Sequence, residues 1–152
     1  YKTATMLLLT PGTSQVYYGD ESARDLIIEG TNGDATLRSF MNWSSIDNDS
    51  NTQEILQYWQ KLGQFRANHM AVGAGKHQVI SEENGLVFSR VRNNDKVIIG
   101  INLPKGSKNI KVSSVFENGQ KLHDFYSNKI LEVKNGNVKV NSKFNIVLLE
   151  IN

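Results

Sequence analysis

Asp20 and Glu21 are adjacent carboxylates at the end of a short aromatic run, Gln15-Val16-Tyr17-Tyr18, that is closed by Gly19. Carboxyl groups serve as acids, bases and nucleophiles. In α/β barrels the reacting groups collect at the C-terminal ends of the strands, which is where this pair would meet a ligand. A second candidate follows. Arg38-Ser39-Phe40-Met41-Asn42-Trp43 is an apolar island with one cation, set in a Gly-, Asn- and Ser-rich stretch from 22 to 50. Long loops are commonly functional or disordered, and an island of this kind is expected to plug into something. His69, His77 and His123 are scattered without the spacing of metal ligands and read as surface or interdomain groups. Asp47-Asn48-Asp49-Ser50-Asn51 looks like a calcium loop, but Thr52 stands where that loop needs Gly and Tyr58 where it needs Glu. No metal site is assigned.

These groups need elements to hold them. Residues 2–10 are mostly apolar and predict the end of a buried helix, stopped by Pro11-Gly12. Residues 15–18 then predict a buried strand. Asn51, with Glu54 three residues on, forms a capping box for a helix over 52–67. In that helix Ile55, Trp59, Leu62 and Arg66 fall on one stripe, and Gly73 and Gly75 mark the end of the region. From His77 the period changes to two. Strands are predicted at 77–81, 86–92, 96–102, 109–115, 130–134, 137–140 and 146–151, with Asn135-Gly136 the strongest hairpin signal. The chain therefore divides near Gly75. An α/β piece, residues 1–75, is followed by an all-β antiparallel sandwich, residues 76–152.

Composition narrows the partners. A net charge of only +2 over 152 residues argues against nucleic acid. The absence of cysteine excludes disulfides and thiolate metal sites. No apolar run approaches the ~18 residues of a membrane span. A complete (β/α)8 barrel needs roughly 200 residues or more. Because the chain also opens at Tyr1 inside an apolar run, it is expected to be a segment of a longer protein.

Four motifs, in order, carry a resemblance. Pro11-Gly12-x-x-Gln15-Val16-Tyr17-Tyr18-Gly19-Asp20-Glu21 resembles the eighth barrel strand of the α-amylase family of glycoside hydrolases, roughly P-G-x-P-x-(I/V)-Y-Y-G-(D/Q)-E. Arg38-x-x-Met41-x-Trp43 is similar to that family's R-x-P-M-x-W segment. Leu62-x-x-Phe65-Arg66 resembles its eighth helix, and Gly73-x-Gly75 its exit to a C-terminal sandwich domain. Ser14 and Phe40 stand where the family has Pro. The resemblance implies that residues 1–75 are the last βα unit of a TIM barrel, and that the enzyme cleaves α-glucosidic bonds of starch-like glucans with retention.

Retention requires a carboxylate nucleophile and a carboxylic acid across the sugar ring. In the family these and a third carboxylate lie on earlier strands, so no catalytic residue is expected here and the segment alone is expected to be inactive. As neighbours on an extended chain, Asp20 and Glu21 would point to opposite sides and could not form that pair. The resemblance implies substrate contacts instead. Glu21, with Asp20 beside it, would line the cleft near the leaving-group sugar. Arg38 would reach the sugar at the cleavage point or the nucleophile, or else form a structural salt bridge. The flat ring of Trp43 would stack on a sugar, whereas Tyr18 and Trp59 read as core.

No cofactor is expected in this segment, with calcium, if any, in the complete enzyme. The missing barrel portion or a second chain is expected to cover residues 1–70, and a secreted or periplasmic location is favoured. A rival reading makes the β domain a starch-binding module. Against it, Tyr126 is the lone Tyr or Trp after Trp59, and Phe88, Phe116, Phe125 and Phe144 suit a core.

Overall fold

The run Val97-Ile98-Ile99-Gly100-Ile101 has no polar face, and neither does Val147-Leu148-Leu149. Strands of this composition must be covered on both sides, and that requirement shapes the β region. The structure is a computed structural model describing all 152 residues. Eight strands follow Gly75: β1 (Lys76–Ser81), β2 (Leu86–Arg92), β3 (Asp95–Ile101), β4 (Gly106–Lys111), β5 (Lys121–Asp124), β6 (Lys129–Glu132), β7 (Asn137–Ser142) and β8 (Val147–Ile151). Six form one antiparallel sheet in the order β1-β2-β3-β8-β5-β6, and β4 and β7 form a separate ribbon.

One face of the sheet joins the ribbon in a common core of Val87, Ile98, Leu122, Val147 and Leu149 with Ile110, Val138 and Val140. On the other face of β2, Arg90 donates from Nε to Ala71 O at 3.1 Å. Ala71 belongs to α4 (Met70–Ala74), which packs on β2 and β3. The chain forms two compact units, Tyr1–Leu8 with Ser14–Gly63, and Leu9–Thr13 with Gln64–Asn152. The start of the strands at Gly75 is thus a different boundary from the one between units.

The antiparallel β domain agrees with the expectation in seven of its strands. The eighth, β5, was not anticipated: Lys121-Leu122-His123-Asp124 has a single apolar side chain. It is nevertheless interior, between β8 and β6, because Asp124 substitutes for missing ladder bonds. Its Oδ1 accepts from Leu148 N at 2.9 Å and Tyr126 N at 3.3 Å, and Oδ2 accepts from Ser127 Oγ. Asn135-Gly136 makes its turn, with φ of 50° and 73°, and Lys134 bridges Asn137. The strands then part, β6 to β5 and β7 to β4, so the expected hairpin is one bridge long.

Four expectations in the first unit are corrected. Residues 15–18 form no strand. α1 (Lys2–Leu9) buries Ala4, Leu8 and Leu9 but leaves Met6 exposed. The stretch 22–50 is broken by a 3-10 turn (Gly33–Arg38) and by α2 (Trp43–Asn48). The long helix, α3, runs Ser50–Asn68, and its cap is Asp49 rather than Asn51. Asp49 Oδ2 accepts from Thr52 N at 2.7 Å, which holds that carboxyl below its ordinary range. Thr5 Oγ1 meets Tyr58 OH at 2.5 Å, tying α1 to α3.

Replacing Asp124 by Ala leaves the Leu148 N–H without a partner inside the sheet. Urea denaturation of Asp124→Ala should show a loss of about 1–3 kcal/mol, and Leu148 N–H should lose its protection from exchange.

Candidate functional site

Gly19 turns the chain where the aromatic run ends. Its φ is 87°, a conformation that L side chains resist, and a Cβ there would collide with the Arg24 side chain. The turn continues as a 3-10 turn over Asp20–Ser22, so Asp20 and Glu21 are not on an extended strand as expected. Each carboxylate caps local backbone. Asp20 Oδ2 accepts from Tyr17 N at 3.2 Å and Glu21 Oε2 from Gly19 N at 3.0 Å. Both are half-buried. Ser22 Oγ donates to Asn42 Oδ1 at 2.7 Å and Asn42 Nδ2 returns a bond to Ser22 O at 2.8 Å, which pins this turn beside Trp43.

The residue that assembles the site is Arg24, which sequence reasoning missed. It is 6% exposed. Its Nε donates to Tyr18 O at 3.0 Å, Nη1 to Ser39 O at 3.0 Å and to Ser39 Oγ, and Nη2 to Leu37 O at 3.1 Å. The guanidinium also lies 4.0 Å from the centroid of the Tyr18 ring. One planar fork thus joins the aromatic run to residues 37–39. Tyr17 OH and Tyr18 OH reach the same strip, donating to Leu37 O at 3.3 Å and Ser39 O at 3.1 Å. The signal in the sequence is weak: a single Arg five residues after Gly19.

Tyr18 is therefore not core, as the sequence suggested, but partly exposed under a cation. Arg38 sits at the end of its 3-10 turn, exposed. Desolvation and the neighbouring Tyr18 raise the Tyr17 phenol above its ordinary value, while Arg24 and Arg38 pull it down. Trp43 opens α2 at 66% exposure and Phe40 is 98% exposed. Trp59 is buried. The strip thus presents two carboxylates, a cation and flat rings, the functional groups that bind neutral polyols. It has no pair of opposed free carboxylates. Asp47–Asn51 spans the end of α2 and the cap of α3.

In the second unit a cleft of about 530 Å³ is floored by Ile80, Val87, Leu103 and Ile110, with Glu83 and Lys111 among its polar residues. No aromatic ring lines it. Tyr126 stacks edge-on against Phe144 with centroids 4.9 Å apart.

The chain's motifs resemble the α-amylase family, and several of the proteins it is similar to are α-amylases. No protein-family profile matches the chain. The periplasmic α-amylase of Escherichia coli K12 is 41% identical to it over 98 residues, which are 64% of this chain and 14% of that protein. In solved structures, the maltotriose complex of AmyP superposes with a TM-score of 0.74 at 18% identity, over 97% of this chain and 33% of that one. An Anoxybacillus α-amylase gives 0.68 at 22% identity, over 97% and 31%. The acarbose complex of the Geobacillus thermoleovorans α-amylase gives 0.66 at 18%, over 96% and 32%. The chain spans about one seventh of the curated relative and about a third of each solved enzyme.

Arg24→Lys keeps the charge but loses the fork. Residues 37–39 should then exchange backbone hydrogens faster, by an amount corresponding to about 1–3 kcal/mol of lost local protection. The strands β2 and β3 should be unaffected, as hydrogen-exchange mass spectrometry would show.

Proposed function

We propose that this chain is the C-terminal segment of an α-amylase-type glycoside hydrolase that cleaves α-glucosidic bonds in starch-like glucans with retention. The observation that carries this reading is the 41% identity to a periplasmic α-amylase over 98 residues. Residues 1–75 contribute the last βα unit of the barrel, and residues 76–152 form the accessory β domain. The catalytic carboxylates lie upstream. Asp20, Glu21, Arg38 and Trp43 contribute to the substrate cleft, with Arg24 holding their loops. An α-glucan is the partner of the complete enzyme, which works in the periplasm or outside the cell.

The exposed side chains Val16, Ile27, Leu37 and Phe40 support a further partner. Large apolar groups that stay bare in one segment suit burial against the remainder of a barrel. The cleft of the second unit lacks the rings that a starch-binding face would use, so the accessory role is favoured over a binding module.

The longer protein that carries this chain should hydrolyse soluble starch and release products of α configuration by proton NMR. The chain alone should release none. In that longer protein Arg38→Ala should lower kcat/KM by about a hundredfold or more, the scale of one lost electrostatic contact to the reacting centre. Starch hydrolysis by the isolated chain would overturn the upstream placement of the carboxylates, and β products would overturn retention.

A further inference from the structure

Four ionisable side chains in the second unit form a continuous chain that the glucan reading does not use. His69 lies at the junction of α3 and α4. Its Nδ1 is 2.7 Å from Asp95 Oδ1 and its Nε2 is 2.5 Å from Glu150 Oε2. The other oxygen of Glu150 is 2.7 Å from His123 Nδ1, and His123 Nε2 is 3.0 Å from Asn128 Oδ1. The second oxygen of Asp95 accepts from Ala71 N at 2.7 Å. The four come from the helix junction, the start of β3, the end of β8 and β5. Glu150 and His123 are register partners across β8 and β5. Phe65 packs beside the chain, 4.7 Å from the His69 ring and 5.5 Å from Phe125. Each of the four side chains is mostly shielded from water.

The hydrogen-bond inventory shows which ring form satisfies every contact. A neutral imidazole has one N–H and one lone pair. Both nitrogens of His69 face carboxylate oxygens, so a neutral ring would set a lone pair against an anion. The imidazolium satisfies both contacts. Likewise the Nδ1 of His123 meets a carboxylate, and its Nε2 an amide oxygen. With both rings charged, anion and cation alternate along the whole chain and the charges balance.

We propose that Asp95–His69–Glu150–His123 is a proton-operated latch: protonated imidazoles clamp the α3–α4 junction to the sheet, and deprotonation releases it. Other charged groups on the elements packed here are Arg66 in the last turns of α3, Arg90 and Arg92 on β2, Lys96 on β3, Lys121 and Asp124 on β5, and Lys129 and Glu132 on β6; Arg92 is the register partner of Asp95. Arg66 donates to Thr10 O and Gly12 O, and Arg90 to Ala71 O. Burial disfavours the charged form of His123, but its bonds to Glu150 and Asn128 and the charges of Glu150 and Asp124 outweigh this. The net effect raises its folded pKa above the ordinary 6.5. A raised histidine stabilises fully below its unfolded value, and that contribution is lost as pH climbs through the folded one. The latch is therefore shut below about pH 6.5 and opens as pH climbs through the raised folded value of His123.

Nitrogen NMR of the histidine rings in the full chain tests the protonation state. At pH 6 both ring nitrogens of His123 should show imidazolium shifts, and a neutral tautomer there would overturn the latch. Backbone exchange between pH 6 and 9, corrected for intrinsic rates, tests the mechanics. Protection of residues 69–75 should be lost as the rings deprotonate, while β2 and β3 stay protected. Protection that does not change across this range would refute the proposal. In Glu150→Gln, which removes the shared anion, the pH dependence of residues 69–75 should vanish. Its survival there would also refute the latch.

Discussion

The β region depends on covering β2, β3 and β8 on both faces. Each buried Leu, Ile or Val contributes roughly 1.5–3 kcal/mol when fully removed from water, and a bare face would forfeit this several times over. The ribbon β4–β7 covers one face with Ile110, Val138 and Val140. The other face takes α4, with Ala71 and Val72 fully buried, and the end of α3, with Phe65 buried. This need explains why the second unit includes Gln64–Asn68 of a helix that began in the first. Segment 9–13 is held to the same unit by polar bonds: Gly12 N donates to Gly73 O at 2.9 Å and Arg66 Nη1 to Thr10 O at 3.2 Å.

The first unit is organised on the opposite principle. Its segments from 14 to 42 hold no ladder, and several of their large apolar side chains face solvent. What orders them is one buried guanidinium bonded to three backbone carbonyls. Charge-assisted hydrogen bonds of this kind contribute about 1.5–3 kcal/mol each, enough to fix a loop but not to build a core. The Asp20–Ser22 turn and the Asn42–Ser22 pair extend that ordering to the neighbourhood of Trp43. Thus the polar groups proposed to line a glucan cleft are positioned by hydrogen bonds, whereas the β domain is positioned by burial.

What the sequence disclosed follows from this contrast. The strands on either side of Asn135-Gly136 announced themselves, because a positive φ at Asn or Gly is a local requirement. Periodicity likewise revealed the stripe of α3, and Trp59 and Leu62 are buried as that stripe demands. β5 was hidden because its stability comes from Asp124 bonding to Leu148, a partner 24 residues away. Asp49 displaced Asn51 as the helix cap since either side chain suits the role and only backbone geometry chooses. In the site, Asp20, Glu21, Arg38 and Trp43 were visible as residue types. Arg24 was not, because nothing in its immediate neighbours tells a surface arginine from one that binds carbonyls 13 and 15 residues ahead.

The fate of residues 15–18 follows from the same reasoning. Gln15-Val16-Tyr17-Tyr18 has the composition of a buried strand, but a strand's hydrogen bonds lie across to its neighbours, not along its own chain. A parallel barrel strand needs one on each side and is stabilised when both faces are covered. Here Val16, Tyr17 and Tyr18 are all partly exposed, and the backbone stays extended without a ladder. The Tyr18 carbonyl turns instead to Arg24, and the two phenols turn to residues 37 and 39. A helix carries its hydrogen bonds within itself, which is why α1 and α3 form in the same unit while the run between them remains without a ladder. The run is thus strand-like in sequence and dependent on its surroundings in structure, and the carboxylates of Asp20 and Glu21 that follow it inherit that dependence.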